Sequence, residues 1–238
     1  MSNPIIKLNV LAKNADNAKQ IVDAAEGNVY VGLLVKNFPT VEAAVEAVRE
    51  FQQADVPVSV GLGAGDPAMW KKVVDVAVQT KPAHVNQVFP AAGYTLGALQ
   101  HVGSEHSIVN ALITPSGTPG KVIITTGPTS EPLKETVSCD AAAAMLAEIG
   151  VHSVKFYPIG GTDHLDEVAA MVKAAVKHKI KIFEPTGGID IHTIGKVIEV
   201  CVDNGADYII PHIYTSIIDK ATGLTRIEDV RELARFCK

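Results

Sequence analysis

Residues 153–190 read SVKFYPIGGTDHLDEVAAMVKAAVKHKIKIFEPTGGID. An apolar, β-branched run (Val154–Ile159) is followed by an amphipathic segment that Asp163 opens, with Leu165, Val168, Ala169, Val172 and Val176 on one face. A second apolar run, Lys181–Pro185, then precedes Asp190 and another amphipathic segment, with Ile194, Val197, Ile198 and Cys201 on its inner face and Gly205 closing it. Short apolar runs joined by a segment of helical period describe strand–helix–strand units, whose strands pair in parallel.

The same rhythm extends in both directions. Further strand-like runs are Ile5–Ala12, Val29–Val35, Val58–Leu62, His84–Phe89, Ser107–Thr114 and Tyr208–Ile213, which makes eight. Thr40 is placed to cap a helix carrying Val41, Ala44, Val45 and Val48 on one face. Asp66-Pro67 is a helix start with proline in the first turn, and Ile227–Phe236 is the last helix. Eight strand-then-helix units filling residues 1–238 predict a single-domain (β/α)8 TIM barrel of the α/β class. The competing open, doubly wound sheet carries glycines after its first strand, whereas here that turn reads Leu11-Ala-Lys-Asn14.

Composition agrees. Of 238 residues, 47% are hydrophobic and only 5% aromatic, so the core is aliphatic, as in strands buried on both faces. The formal charge of −5, with no Lys/Arg run, argues against a nucleic-acid partner, which needs a basic face. Apolar stretches fall short of the roughly 20 residues that cross a bilayer, so no membrane partner is expected. Met1-Ser-Asn-Pro4 leads into a strand rather than a signal peptide. Three scattered cysteines, Cys139, Cys201 and Cys237, suit a reducing, cytoplasmic setting and form neither a disulfide framework nor a zinc site. One connection breaks the rhythm: residues 115–138, rich in Pro, Gly and Thr, form an inserted loop after the fifth strand. Its extended run Lys121–Thr126 suggests a hairpin over one barrel mouth, serving as a lid or as a subunit contact. That loop and the apolar composition need cover, so a homo-oligomer is expected.

In such barrels the chemistry sits at the C-terminal strand ends. Lys155 lies in an otherwise apolar strand. Burial lowers an amine's pKa and a neutral amine attacks carbonyls, although an ion-paired or snorkelling lysine would look the same. Thr186, Gly187 and Gly188 end the seventh strand, where glycines admit a ligand and the following helix offers N–H groups to an anion. A tight turn would need the same glycines. His212, Tyr214, Thr215 and Ser216 crowd polar groups at the end of the eighth strand. Lys36, Gln87 and Thr114 are further candidates for holding an anionic substrate, each equally readable as a solvated or capping residue. Asn9 and His84 read as polar filling of the strands. No cluster has metal-ligand spacing, although Glu184 and His212 are conceivable ligands of a divalent ion.

Two of these segments resemble a known family. Val154-Lys-Phe-Tyr-Pro158 is similar to the Schiff-base strand of the class I 2-keto-3-deoxy-6-phosphogluconate aldolases, and Pro185-Thr-Gly-Gly-Ile189 to the motif on their next strand. Over its full length, with Tyr208–Ser216 and Thr126-Gly-Pro-Thr129, the chain resembles the branch acting in D-glucosaminate degradation. The resemblance implies a carbon–carbon lyase that splits 2-dehydro-3-deoxy-6-phosphogluconate, a small phosphorylated 2-keto acid, into pyruvate and glyceraldehyde 3-phosphate. It needs neither metal nor organic cofactor. Lys155 is then the imine-forming lysine, and Thr186, Gly187 and Gly188 hold carboxylate or phosphate. The better-known branch has its general-base glutamate at the end of the second strand, where Lys36 stands here. The base must come from elsewhere: Glu184, which shares strand parity with Thr186, directly or through water, and His212 as second choice. The rival readings are a metal-dependent aldolase or phosphosugar epimerase on the same barrel, and a non-catalytic protein that binds a phosphorylated ligand.

Overall fold

In the computed structural model, residues 3–237 are described; Met1, Ser2 and Lys238 lie outside them. Eight parallel strands form the wall of a barrel. β1 comes in two pieces, Ile5–Ile6 and Leu8–Leu11, followed by β2 (Val29–Leu34), β3 (Val58–Gly61), β4 (His84–Val85), β5 (Ile108–Pro115), β6 (Ser153–Phe156) and β7 (Ile182–Pro185). β8 is again in two pieces, Tyr208–Ile209 and His212–Ile213. Each strand pairs with the next, and the ring closes because Ile5 and Ile6 pair with Tyr208 and Ile209 while Asn9 and Val10 pair with His212 and Ile213. Across the breaks, Lys7 N–H still donates to Ile209 C=O at 3.1 Å and Asn9 N–H to Pro211 C=O at 3.0 Å. This is a (β/α)8 barrel, as the strand rhythm predicts.

The helices follow their strands: α1 (Ala15–Ala24), α2 (Val41–Gln53), α3 (Trp70–Thr80), α4 (Phe89–His101), α5 (Cys139–Ile149), α6 (Leu165–Lys177), α7 (Ile194–Asp203) and α8 (Ile227–Ala234). Local chemistry sets several starts. The Thr40 hydroxyl accepts from Ala43 N–H, capping α2, whose Ala44, Val45, Val48 and Phe51 are buried against the barrel. Burying each of the larger of these side chains contributes about 1.5–3 kcal/mol.

Three predicted starts are displaced. Asp66 accepts from Ala68 N–H, but the turn it caps, Pro67–Met69, is a 3-10 turn and α3 begins at Trp70. Asp163 sits in a turn built on Gly160 and Gly161, both at positive φ, so α6 begins at Leu165. Asp190 accepts from the N–H groups of His192 and Thr193, a turn ahead of α7. Val176, expected inside, is 40% exposed at the outer end of α6. β4 is shorter than its apolar run because Val88 is already the N-cap of α4, with Pro90 in the first turn.

The insert at 115–138 is a ribbon. Lys121–Ile123 pairs antiparallel with the end of β5 (Thr114 opposite Ile123), and Thr136–Ser138 pairs with Lys121–Ile123 in turn. Its root is tied to α6, since Glu167, only 2% exposed, accepts from the N–H groups of Ser116 (2.8 Å) and Gly117 (3.0 Å) and from His164. Farther along, the Thr126 hydroxyl donates to Leu112 C=O and accepts from Phe89 N–H, fixing the ribbon beside the C-terminal mouth.

Candidate active site

The barrel interior is polar where its strands reach the C-terminal mouth. Lys155 stands on β6 beside Leu112 of β5 and Glu184 of β7. Its ammonium group is buried, donates to Asn86 Oδ1 at 2.9 Å and lies 3.2 Å from His212 Nδ1. Burial is the main cause that brings its pKa down to about 8, against a smaller upward pull from the Glu184 carboxylate.

Glu184 lies beneath, with no solvent exposure. Oε1 accepts from His84 Nε2 at 3.0 Å, and Oε2 accepts from Asn110 Nδ2 at 2.7 Å and His212 Nε2 at 2.8 Å. Burial works to raise this carboxyl, but the His84 charge and the imidazole hydrogen bonds hold it well below the ordinary glutamate value. With both oxygens engaged, it is absent from the cavity wall.

These contacts set the state of His212. A carboxylate only accepts, so Nε2 carries the proton and Nδ1 turns its lone pair toward Lys155. Burial, followed by the neighbouring Lys155 charge, lowers its pKa to about 3, so the ring is neutral. The Tyr214 hydroxyl stands 3.2 Å from the same Nδ1 and donates to Asn9 Oδ1 at 3.2 Å. Ser59 completes the layer: its hydroxyl receives Asn9 and Asn86 amides at 3.0 Å each and meets His84 Nδ1 at 2.8 Å.

Above this layer opens a cavity of about 370 Å³, lined by Lys155, Asn86, His212, Tyr214, and the loops after β3, β7 and β8. Thr186, Gly187, Gly188, Thr215 and Ser216 all lie on its wall. The glycines there are obligatory. Gly187 (φ +100°) and Gly188 (φ +74°) adopt a backbone that L side chains resist, and a Cβ on Gly188 would sit 2.5 Å from Gly161 N. Gly161 N–H donates to Gly187 C=O at 2.8 Å, locking the loops after β6 and β7 together. Ser216 Oγ donates to Ile189 C=O, joining the loops after β7 and β8.

Several sequence-predicted contacts lie elsewhere. The Asp190 carboxylate takes the N–H groups of His192 and Thr193, just ahead of α7. Gly187 and Gly188, in the turn before it, lie on the cavity wall. The Lys36 side chain is 52% exposed, pairs with Asp66 at 2.7 Å and is off the cavity. Gln87 points out of the barrel, donating to Trp70 C=O and the Thr95 hydroxyl between α3 and α4. Thr114 lines a separate recess under the insert. Asn86 is the residue the sequence reading passes over. The signal was the alternation His84-Val-Asn86, which puts both polar side chains inward and Gln87 outward.

His84, Glu184 and His212 also place one ligand atom each within 4.8 Å of one another, a set capable of holding a metal ion. Doing so would require both Nε2 atoms to exchange their protons for the ion, dismantling the hydrogen bonds that orient His212.

Several barrel structures share the fold at low identity. They include KGPDC from Streptococcus mutans (12% identity, TM-score 0.62, covering 98% of this chain and 97% of that one) and a 3-hexulose-6-phosphate synthase (16%, 0.59, 97% and 99%). A mutant tryptophan synthase α-subunit from Pyrococcus furiosus is a third (12%, 0.60, 100% and 98%). A curated protein of Salmonella typhimurium (strain 14028s / SGSC 2262), named 2-dehydro-3-deoxy-phosphogluconate aldolase, is 45% identical over 235 residues, 98% of this chain and 95% of that one. Residues 2–221 match the model of the KDGP aldolase family. With the lysine strand and the Pro-Thr-Gly-Gly turn facing one cavity, and with that match over most of its length, the chain belongs to the KDGP aldolase family.

Proposed function

We propose that this protein is a class I aldolase that cleaves 2-dehydro-3-deoxy-6-phosphogluconate into pyruvate and glyceraldehyde 3-phosphate. The observation that carries the reading is a buried lysine, its pKa lowered to about 8, facing a neutral imidazole nitrogen at the floor of the cavity in the barrel mouth. Neutral Lys155 attacks the C2 ketone, and loss of water leaves a protonated imine. His212 accepts the C4 hydroxyl proton, the C3–C4 bond breaks, and its electron pair passes through C2 to the imine nitrogen. The resulting enamine is protonated at C3 and hydrolysed, releasing pyruvate.

The geometry favours His212 over Glu184 as base, since Glu184 is walled off from the cavity and acts by fixing the ring. Lys155 is the one lysine or arginine on the cavity wall among the described residues, so the substrate phosphate rests on the Gly187 and Gly188 N–H groups and the Thr215 hydroxyl.

The test is reduction with sodium borohydride in the presence of pyruvate. A covalent adduct mapped to Lys155 supports the imine, and full activity of Lys155→Ala overturns it. The His84–Glu184–His212 set supports a second reading, a metal-dependent aldolase, which a chelator distinguishes by abolishing activity. A purely binding protein would release no pyruvate in a lactate-dehydrogenase-coupled assay.

No helix among the described residues is long and apolar enough to cross a membrane. We place the protein in the cytoplasm, where its three free cysteines stay reduced. We also read it as a homo-oligomer in which Tyr94 (65% exposed) and Leu133 (64%) find cover. Sedimentation of a single monomeric species would overturn the latter.

A further inference from the structure

Tyr214 has a place built for it. Gly32 lies within β2 at a negative φ, so nothing in its backbone demands glycine. A Cβ there would meet the Tyr214 hydroxyl at 3.3 Å, Asn9 Oδ1 at 3.4 Å and Leu11 Cδ2 at 2.9 Å. The missing side chain makes room for the Tyr214–Asn9 hydrogen bond. The tyrosine side chain lines the cavity beside Lys155 and His212.

That hydroxyl has one proton and two acceptors within reach, Asn9 Oδ1 and His212 Nδ1, each at 3.2 Å. In the resting enzyme Nδ1 is also approached by Lys155 Nζ at 3.2 Å, while Asn86 Oδ1 takes another Lys155 proton at 2.9 Å. An imine nitrogen keeps a single N–H, and the shorter contact to Asn86 retains it. Imine formation therefore releases Nδ1 to Tyr214.

We propose that Tyr214 is the proton carrier between His212 and the substrate, an assignment that rests on the Schiff-base reading above. As the C3–C4 bond breaks, the C4 hydroxyl gives its proton to the tyrosine oxygen while the tyrosine O–H gives its own to Nδ1. The C4 O–H pair becomes the aldehyde C=O bond, and the C3–C4 pair becomes the enamine double bond. The imine C=N pair moves onto nitrogen. His212 is left as an imidazolium whose Nε2–H faces the Glu184 carboxylate. The proton then returns through Tyr214 to C3 of the enamine, so one proton leaves the substrate and one is restored.

The experiment is Tyr214→Phe, read three ways: cleavage turnover, borohydride trapping with pyruvate, and exchange of the pyruvate methyl protons with deuterated solvent. The expected result is a fall of about 10²- to 10³-fold in kcat and in methyl exchange, with trapping at Lys155 within twofold of the parent enzyme. A kcat or an exchange rate within threefold of the parent overturns the assignment, and so does loss of trapping in step with turnover. Where Tyr214→Phe does not fold, 3-fluorotyrosine in place of Tyr214 keeps the shape and alters the acidity of the hydroxyl. A change in kcat of threefold or more at constant trapping then supports the carrier, and an unchanged kcat overturns it. If the parent enzyme gives no adduct, it is the Schiff-base reading that has failed.

Discussion

Nδ1 of His212 faces Nζ of Lys155 at 3.2 Å, while Nε2 of the same ring is held by a carboxylate at 2.8 Å. The lysine thus shares a cavity with a base whose tautomer is already chosen, without depending on a second cation to lower its pKa. Burial supplies that lowering, against a smaller upward pull from Glu184.

The pH dependence of imine formation follows. Only the neutral amine attacks, so the rate of trapping by borohydride with pyruvate rises about tenfold per pH unit and levels near the Lys155 pKa of about 8. His212, at about 3, and Glu184, held below the ordinary value, change state under far more acidic conditions and add no second limb above pH 5. A plateau extending below pH 6 would contradict this account.

Glu184→Gln removes the charge that three donors converge on and turns one of its ends into a donor facing another donor. Breaking such a buried pair costs about 3 kcal/mol, read from the urea midpoint at neutral pH. The depressed carboxyl of the parent contributes stability above the ordinary glutamate pKa of 4.5 and loses it only as the pH falls toward its lower folded value. The difference between parent and variant should therefore shrink in acid. Turnover falls at least about tenfold because the imidazole is no longer held in one tautomer.

The order of elements and the inward lysine were legible because a closed barrel imposes period-two alternation and a repeated strand–helix unit, both local properties. Lys155, Thr186, Gly187, Gly188, His212, Thr215 and Ser216 all reach the cavity that their strand ends imply. Gln87 failed by one position of parity, and Asn86 was overlooked for the same reason. Lys36 failed because an aspartate from the next loop, 30 positions away, captures it. Glu184 was read correctly as inward. Its role depends on His84 and Asn110, partners from strands that the linear sequence does not mark as neighbours.

Lys36→Ala gives the complementary result. An exposed ion pair is worth roughly 0–1 kcal/mol, and the side chain is off the cavity wall. The expected outcome is a kcat/KM within about twofold of the parent and a thermal midpoint within a few degrees. A large rise in KM would restore Lys36 as a substrate contact.

Gly188→Ala tests the turn rather than the chemistry. The new Cβ meets backbone, Gly161 N at 2.5 Å and Gly160 C at 2.8 Å, with no flexible side-chain end to yield, and φ of +74° adds strain. Together these cost about 1–3 kcal/mol. The turn must shift, moving the N–H groups assigned to the phosphate. KM for the phosphorylated substrate should rise more than pyruvate trapping falls, since pyruvate has no phosphate to lose. Equal effects on both would place the phosphate elsewhere.

Glu167→Ala addresses the insert. The buried carboxylate receives Ser116 and Gly117 N–H and His164, so it joins the root of the 115–138 ribbon to α6. Without it two backbone donors at a half-buried root are left unsatisfied, at about 1–3 kcal/mol each if they stay dry, so the root opens to water instead. The ribbon then detaches locally while the barrel, closed by its own ladders, stays folded. Limited proteolysis should cut the variant within 116–138 at a rate at least about tenfold above the parent, with an unchanged far-ultraviolet circular dichroism spectrum. Because the recess lined by Thr114, Thr125 and Tyr157 lies under that ribbon and shares the Tyr157 wall with the cavity, turnover should fall with detachment. Cleavage inside the ribbon at undiminished turnover would show that the insert serves something other than the reaction.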